Sequence, residues 1–315
     1  MLAASNLVLA LTSYGAWSQM MTTIKIVVPL PPGSGQDIMS RLLGEQISRA
    51  QGATVVIENR PGAGTAVGTE AAARAVPDGN TLLVNGNPFL INPLLQKLNY
   101  DPLTSFEPIC YLVNSPTVLL VNSASPYRTL ADLLDAARAK PGDLTLASIG
   151  PGSATQIAFE MLRRQAHIDM TFVPFPGIPP AVNALLGNHV TSVFGVYGGL
   201  VDQQLKKGKL RALATASATR IEALSEVPTV AESGYKGYGV DIWTGLFAPA
   251  KTSRDALSRV AGWFAAALQV PELKSKLEVQ GLYPVGMCGN DFASFLRRQY
   301  DDYARIIRES NIKAE

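Results

Sequence analysis

The chain is poor in the residue types on which most metal sites and many catalytic sites depend. Its 315 residues include two cysteines and two histidines, and these four residues are scattered along the sequence. This is too few thiol and imidazole groups for a metal site built by the protein, so none is expected. Cys110 and Cys288 either pair in an oxidising compartment or remain two buried thiols, and their spacing leaves both readings open.

Charged residues are also scarce, and neither sign dominates. They make up 17% of the chain with a net charge of +2, whereas hydrophobic residues make up 47%. The mean hydropathy is +0.14. This composition argues against disorder and predicts one large folded domain or two ordinary ones. Basic residues are dispersed, in pairs such as Lys206 and Lys207, which argues against binding to nucleic acid.

The apolar run at residues 1–11 is too short to cross a bilayer. Together with the small residues Ala16 and Ser18, it is typical of a secretory signal and its cleavage site. We therefore interpret residues 1–20 as a signal segment, with Gln19 or a neighbour as the mature start, and expect a periplasmic protein. Because the first charged residue is Lys25, either the true start lies upstream of Met1 or the segment is not a signal.

Short apolar runs typical of strands alternate with amphipathic helical patterns along most of the chain. Such alternation predicts an α/β architecture with mostly parallel sheets flanked by helices. The strand-like runs lie at residues 24–28, 54–57, 81–84, 118–121, 144–148, 170–173, 190–194, 210–214 and 243–248. We expect two lobes, the first formed by residues 21–121 and 238–315 and the second by residues 122–237.

One local arrangement occurs twice: a strand, a glycine-bearing loop and the start of a helix. The first loop is residues 31–37 and the second loop is residues 148–156. Ser34 precedes Asp37 by three residues, and Ser153 precedes Gln156 by three, which is the spacing of a capping box. The start of a helix presents free N–H groups and a positive dipole end. Two such ends at the carboxyl ends of strands predict a cradle for a small anion.

The first loop lacks the Gly-Lys-Ser/Thr sequence of a nucleotide-binding P-loop and the spacing of a dinucleotide fingerprint, so no cofactor is expected. The chain also lacks the G-x-S-x-G elbow of serine hydrolases. An α/β hydrolase or transferase that uses Ser148 or Ser153 on a carboxylate substrate is the alternative. Such a serine needs a base, and His167 and His189 are the two histidines available.

Seven motifs occur in the order typical of the Bug-type solute receptors of tripartite tricarboxylate transporters, and the resemblance spans roughly residues 22–310. Each motif alone is weak, but the set in register is specific to the family. They are IVVPLPPGSGQD (26–37), VIENRPGAG (56–64), PDGNTL (77–82), INP (91–93), GKLRALA (208–214), VPTVAESG (227–234) and WTGLFAP (243–249).

The resemblance implies a two-lobed periplasmic-binding-protein fold (type II) that closes on its ligand like a Venus flytrap, and no enzymatic activity. It implies a small organic carboxylate as ligand, held between the two loops partly through ordered waters. It also implies delivery to integral-membrane transporter subunits. A protein that presents its ligand to a membrane sensor kinase, as in some relatives, is a further alternative. We expect a monomer.

The expected ligand-binding residues come mainly from the two loops and from neighbouring strand ends. The segment after Phe194 departs from relatives that carry an acidic residue there, because Gly195 and Val196 occupy these positions, so an amino acid is a less expected ligand. Aromatic side chains form either an apolar wall or core, and Glu58, Asn59, Arg60 and Trp243 are interpreted as structural. The candidates are Pro32, Gly33, Ser34, Gly35, Gln36, Asp37, Asn85, Asn87, Phe89, Ser148, Gly150, Gly152, Ser153, Ala154, Thr155, Phe175, Gly195 and Tyr197.

Overall fold

The computed structural model describes residues 22–150 and 153–312. The predicted signal segment, residues 1–20, lies outside this part of the chain. Within the described residues the strands, numbered in chain order, are β1 Thr23–Val28, β2 Thr54–Asn59, β3 Thr81–Gly86, β4 Phe106–Ser115, β5 Thr117–Asn122, β6 Thr145–Ile149, β7 Thr171–Phe175, β8 Ser192–Val196, β9 Leu210–Thr215, β10 Ile242–Pro249 and β11 Tyr283–Cys288.

Helices connect most consecutive strands, as the alternating pattern predicts. Four of them begin at a serine or threonine whose side chain accepts the N–H group three residues later, which satisfies one of the free donors of the first turn. The helices are α1 Gly35–Gln51, α2 Ala66–Ala73, α3 Pro88–Leu95, α4 Leu130–Ala139, α5 Ala154–Gln165, α6 Ile178–Leu186, α7 Gly199–Lys206, α8 Arg254–Leu268, α9 Pro271–Val279 and α10 Asn290–Ser310.

The first lobe is built on a six-stranded sheet in the order β11-β4-β10-β3-β1-β2. Helices cover both of its faces, so its strands are apolar on both sides. Ile26 and Val28 point to one face, where they pack with α1 and α8. Val27, between them, points to the other face and packs with Phe89 of α3 and Phe292 of α10, as expected from the two-residue period of a strand.

The second lobe is built on a five-stranded sheet in the order β7-β6-β8-β5-β9. It is also covered on both faces. Leu119 and Val121 of β5 pack against residues of α4 and α5. Val118 and Leu120 of the same strand pack on the other face, against residues of α6 and α7. The two-lobed α/β architecture predicted from the sequence is therefore confirmed.

Both sheets are mixed, but most strands in each sheet run in one direction, as predicted, and β5, β10 and β11 run the opposite way. In the first sheet, β1 pairs in parallel with β2 and β3, but β10 is antiparallel to β3 and β4, and β11 is antiparallel to β4. In the second sheet, β5 is antiparallel to β8 and β9. The antiparallel pairs arise where the chain passes between the lobes, because β4 and β5 lead out of the first lobe and β10 leads back into it.

The crossing between the lobes lies earlier than expected. The predicted boundary after residue 121 would leave β5 in the first lobe, but β5 pairs entirely within the second sheet, so the outward crossing is at Pro116. On return, Val240 still packs in the second-lobe core. Trp243, one residue into β10, is fully buried in the first-lobe core. The structural role predicted for Trp243 is thereby confirmed.

Cys110 and Cys288 form a disulfide bond, which resolves the choice that their spacing left open. The two residues are partners in the register between β4 and the edge strand β11. The disulfide therefore joins the sheet to the segment that leads into α10, across 178 residues of sequence.

Candidate functional site

The first loop runs from the end of β1 to the start of α1 and is shaped by its own hydrogen bonds. Ser34 is the N-cap of α1, and its Oγ accepts the N–H of Asp37 at 3.3 Å, as the capping spacing predicts. Asp37 in turn accepts the N–H of Gly33 at 2.9 Å. Pro32, Gly33 and Gly35 remain exposed, so the loop presents the start of α1 at the carboxyl end of the sheet.

Asp37 is buried behind the first loop, and its carboxylate holds the loop in place. The residue is 2% exposed, and its carboxylate accepts hydrogen bonds from Arg41 at 3.1 Å and from Asn59 at 2.9 Å. Burial by itself raises the pKa of Asp37, but the hydrogen bonds from Arg41, Gly33 and Asn59 together lower it below its usual value. Asp37 therefore stays ionised and holds the loop, and the bracing role predicted for Asn59 is confirmed.

Gln36 is the most informative side chain of the first loop. Its amide lies beside Gly86 at the end of β3, where a Cβ on Gly86 would come within 3.2 Å of Nε2. Its Oε1 is buried and accepts no hydrogen bond from any described residue. A buried polar atom is normally satisfied, so this amide is suited to an ordered water or to a ligand that carries a donor.

The second loop runs from β6 to α5 and repeats the arrangement of the first. Ser153 is the N-cap of α5, and its Oγ accepts the N–H of Gln156 at 3.2 Å and donates to the Ile149 carbonyl at 3.0 Å. Ala154 and Thr155 are almost fully buried in the first turn. Gly150 precedes the gap in the described residues, and the predicted contact at Gly152 lies outside them. The helix starts at residues 35 and 154 are thus capped alike.

A chain of contacts brings the two loops to the same gap between the lobes. In the first lobe, Gly35 lies against Leu282 in the turn between α9 and β11. Gly281 of that turn touches Gly198 of the second lobe so closely that a Cβ on Gly198 would lie 2.4 Å from the Gly281 Cα. Gly198 follows β8, which is hydrogen-bonded in parallel to β6, the strand that leads into the second loop. The carboxyl ends of β1, β6 and β8 therefore converge.

Tyr197 lies at the same contact, where both lobes cover it. Its ring is 6.4 Å from the ring of Tyr283 in a stacked arrangement, and its hydroxyl donates to Asp202 at 3.0 Å. Burial, helped by Asp202, raises the pKa of Tyr197 to about 12, so the phenol stays neutral. Phe175, at the end of β7, is half-buried and also lies at the carboxyl edge of the second sheet.

Three predicted contacts from the first lobe lie in its interior. Phe89 is fully buried and stacks on Phe247 with ring centres 4.3 Å apart, so of the two alternatives, apolar wall or core, Phe89 belongs to the core. Asn85 is fully buried and donates to Thr69 at 2.9 Å. Asn87 donates to the Asp241 carbonyl and to the Tyr303 hydroxyl, which ties the end of β3 to the lobe crossing.

Two predicted contacts in the second lobe also have structural partners. Ser148 is fully buried and donates to the Phe194 carbonyl at 2.9 Å, linking β6 to β8. A Cβ on Gly195 would lie 3.0 Å from Leu120 and so would enter the core. A nucleophilic serine must donate its proton to a base, whereas Ser148 and Ser153 both donate to backbone carbonyls.

The turn between α9 and β11 supplies one side of the lobe contact and has no counterpart among the residues predicted from the sequence. Its members Gly281, Leu282 and Tyr283 carry no polar motif. The sole sequence signal is a glycine directly after a helical pattern, and this is typical of any helix end. What distinguishes Gly281 is the opposing glycine on the other lobe, a relation that the linear sequence does not show.

The described residues contain no group of three or more histidine, cysteine or acidic side chains arranged to hold a metal ion. Among the helices of residues 22–150 and 153–312, none combines the length and the apolar character that a membrane crossing needs.

Known proteins share this architecture over nearly the whole chain. The structure of the periplasmic binding protein BugD has a TM-score of 0.78 at 30% identity, covering 93% of this chain and 99% of its own. An R. palustris protein solved with adipate has a TM-score of 0.80 at 26% identity, covering 92% and 98%. MatC from Rhodopseudomonas palustris, solved with bound malate, has a TM-score of 0.73 at 27% identity, covering 90% and 98%. The fold is that of a two-lobed solute-binding protein.

Sequence comparison defines the family. The model of the tripartite tricarboxylate transporter family receptor matches residues 39–312. A UPF0065 protein encoded in the tcbD–tcbE intergenic region of a Pseudomonas species is 31% identical, covering 91% of this chain and 86% of the relative. BugT of Bordetella pertussis is 29% identical, covering 92% and 90%. The chain belongs to the tripartite tricarboxylate transporter receptor family, as its seven motifs indicate.

Proposed function

We propose that this protein is a periplasmic receptor that holds a small organic carboxylate between its lobes and delivers it to a tripartite tricarboxylate transporter. The observation that carries the proposal is the convergence of the capped starts of α1 and α5 on one interlobe gap. Each start offers N–H groups without partners in the helix, together with the positive end of the helix dipole. Such donors bind anions without a fixed cation.

The ligand class follows from the donors that the two loops contain. Residues 31–37 and 148–156 include no lysine or arginine, which disfavours multiply charged phosphates, whose sites commonly use a cation. Gln36 adds an amide with a free buried acceptor, which suits an ordered water between protein and ligand. Two related proteins were solved with adipate and with bound malate. We infer a mono- or dicarboxylate ligand, with Phe175 and Tyr197 beside its carbon skeleton.

Export fits the chemistry of the cysteines. A disulfide persists in oxidising compartments such as the periplasm and is rare in the cytosol, and this chain has one between Cys110 and Cys288. We infer secretion through the N-terminal segment and a monomer in solution. Sequencing the mature N-terminus of periplasmic protein tests the first inference, since it should begin near Gln19. Light scattering tests the second.

The experiment that tests the proposed function is a thermal-shift screen followed by calorimetry. The panel contains malate, adipate, citrate, benzoate and, as controls, phosphate and glutamate. We expect at least one of the four organic acids to raise the melting temperature by binding the native state, with no turnover product detected. If none of the four organic acids shifts the melting temperature, or if phosphate shifts it most, the proposal is rejected.

A further inference from the structure

A second concave surface lies in the first lobe, far from the interlobe gap. We call it the α8–α10 groove. Its volume is about 600 Å³, and it lies between α8 and α10, where β4 begins and β10 ends. The lobe crossing is at the opposite ends of these strands, which are eight to ten residues long, so roughly 25 Å separates the groove from the crossing. Its lining residues include Ile109, Phe247, Leu257, Leu296, Arg254 and Arg297.

The groove has rigid walls that come from one lobe. Gly289 precedes α10, and its N–H donates to the Ile109 carbonyl of β4 at 2.9 Å. The neighbouring disulfide joins Cys110 of β4 to Cys288. The start of α10 is therefore fastened to the sheet, and relative movement of the lobes leaves both walls of the groove in place. A preformed surface of this kind loses little conformational entropy when a partner binds.

The chemistry of the groove is an apolar floor beneath a positively charged rim. Ile109, Phe247 and Leu296 are buried at the base. Arg254 and Arg297 rise on opposite walls, are exposed, and form no ion pair with any described residue. Glu107, the acidic residue of the lining, accepts the backbone N–H of Lys251 at 3.2 Å and keeps its charge, so the two arginines leave the lining with a net positive charge. The groove is thus complementary to carboxylates that accompany aliphatic groups.

We propose that the α8–α10 groove is the surface on which the membrane transporter docks, through an extracytoplasmic segment that combines acidic and aliphatic side chains. The proposal rests on the proposed function, which requires such a transporter. A polar rim around an apolar centre, with arginine as the charged residue, is the usual composition of a protein interface. The groove is partly open to solvent, and the two arginines lie on separate helices, where they can pair with two separate carboxylates.

The test uses two double variants with the same change in charge. R254E/R297E reverses the charge of the two arginines at the rim of the groove. R298E/R308E reverses the charge of two exposed arginines of α10 outside the lining. The assay measures the rate at which cells that depend on this receptor take up the radiolabelled organic acid of the panel (malate, adipate, citrate or benzoate) that binds most tightly in the screen. We expect R254E/R297E to reduce uptake by about tenfold or more, equivalent to about 1.4 kcal/mol of docking, and R298E/R308E to stay within about twofold of wild type. Calorimetric affinity for the ligand should be unchanged in both.

A second experiment measures direct binding of the fluorescein-labelled peptide Leu-Glu-Glu-Leu-Glu-Glu-Leu. The control peptide has lysine in place of each glutamate. The acidic peptide should bind wild type and R298E/R308E, and should bind R254E/R297E at least about tenfold more weakly. R254Q/R297Q serves if charge reversal impairs folding. Normal uptake by R254E/R297E, or equal loss in both double variants, overturns the proposal. So does octanoate binding that needs both arginines while uptake is unaffected, because the groove is then a small-molecule site.

A failure of ligand binding in wild type would instead reject the proposed function and leave the peptide measurement to decide on the groove.

Discussion

At the scale of single residues, the candidate site depends on side chains that hold backbone in place. Asp37 and Asn59 belong to different sequence motifs, yet they are hydrogen-bonded at 2.9 Å, and Asn59 also donates to the Leu30 carbonyl at 3.1 Å. Ser34 and Ser153 cap the two helices whose N–H groups we assign to the ligand. The physical reason is that an anion is bound by backbone donors only where their directions are fixed.

The two capping serines are expected to affect ligand affinity beyond their effect on stability. Ser34→Ala and Ser153→Ala should each lower stability by about 1 kcal/mol through loss of the cap. They should also weaken carboxylate binding by about tenfold, since the donors lose their alignment. Calorimetry measures the affinity and thermal unfolding the stability. Ser253→Ala is the matched control, because Ser253 caps α8 in the same way, away from the interlobe gap. Equal affinities in all three variants would reject the assignment.

The buried carboxylate of Asp37 is expected to make stability depend on pH. Its folded-state pKa is lowered, because the hydrogen bonds that it accepts outweigh its burial. A lowered pKa contributes stability that is present above the unfolded-state value of about 3.9 and is lost as the pH falls through the folded-state value. Asp37→Asn should therefore cost about 1–3 kcal/mol at pH 7, and less at pH 3, below the unfolded-state pKa. Urea unfolding at both pH values measures this, and a cost that is the same at pH 3 contradicts the prediction.

At the scale of elements, β11 is the strand that depends most on tertiary partners. It pairs with β4 alone, at the edge of the first sheet, and its register shifts between Pro284 and Met287. Two features hold it there: the disulfide to β4 and the packing of α9, whose Leu277 is fully buried. Through this strand the disulfide positions both the turn at Gly281 and the start of α10.

Removal of the disulfide is expected to destabilise the protein strongly. Cys110→Ala/Cys288→Ala, or treatment with dithiothreitol, should lower the free energy of unfolding by about 2–5 kcal/mol, because the crosslink restricts the unfolded chain. Guanidinium unfolding with and without reductant measures the difference. The double variant should show no further response to dithiothreitol. An unchanged unfolding midpoint in wild type after complete reduction would contradict the prediction.

At the scale of the whole molecule, the lobes meet through a contact between two glycines. Gly198 has φ 131° and Gly281 has φ 75°, a region that disfavours other residues, and each faces backbone of the other lobe. A side chain at either position would meet that backbone at about 2.4–2.5 Å. The contact therefore sets how closely the two capped helix starts approach each other.

A methyl group at this contact is expected to hold the lobes apart. Gly198→Ala should increase the radius of gyration in small-angle scattering with ligand and weaken ligand binding by about tenfold or more, because closure is part of binding. Gly208→Ala is the matched control. Gly208 also has a positive φ of 64°, but an added Cβ there would meet nothing within 4 Å. If both variants bind the ligand equally well, the contact does not govern closure.

The elements that the sequence predicts well are those with a strong local pattern. β1, β6 and β10 are apolar runs bounded by glycine or proline, and α1 and α5 begin at capping serines. The elements that were not predicted have weak local signals. β4 includes Pro108, β11 includes Pro284 and Gly286, and α3 contains two prolines and is apolar on most sides. Each of these forms because its neighbours supply partners that the chain meets only after folding.

The candidate site also contains a part that the sequence predicts and a part that it does not. The two loops and their caps were predictable, because strand, glycine loop and capped helix are written in consecutive residues. Asn85, Asn87 and Phe89 lie at a strand end, where the sequence predicts ligand contacts, but their side chains contact Thr69, Tyr303 and Phe247 in the interior. Which way a side chain points at a strand end depends on the layer packed above it, and that layer comes from distant parts of the chain.

The sequence alone determined the family, the two-lobed α/β class and the two capped helix starts, since each depends on residues close together in the chain. Tertiary structure decided the mixed strand directions, the pairing of Cys110 with Cys288, the burial of Phe89 and the contact of Gly198 with Gly281. These features join residues far apart in sequence. Their geometry is set when the chain crosses twice between the lobes and its C-terminal helix packs back on the first lobe.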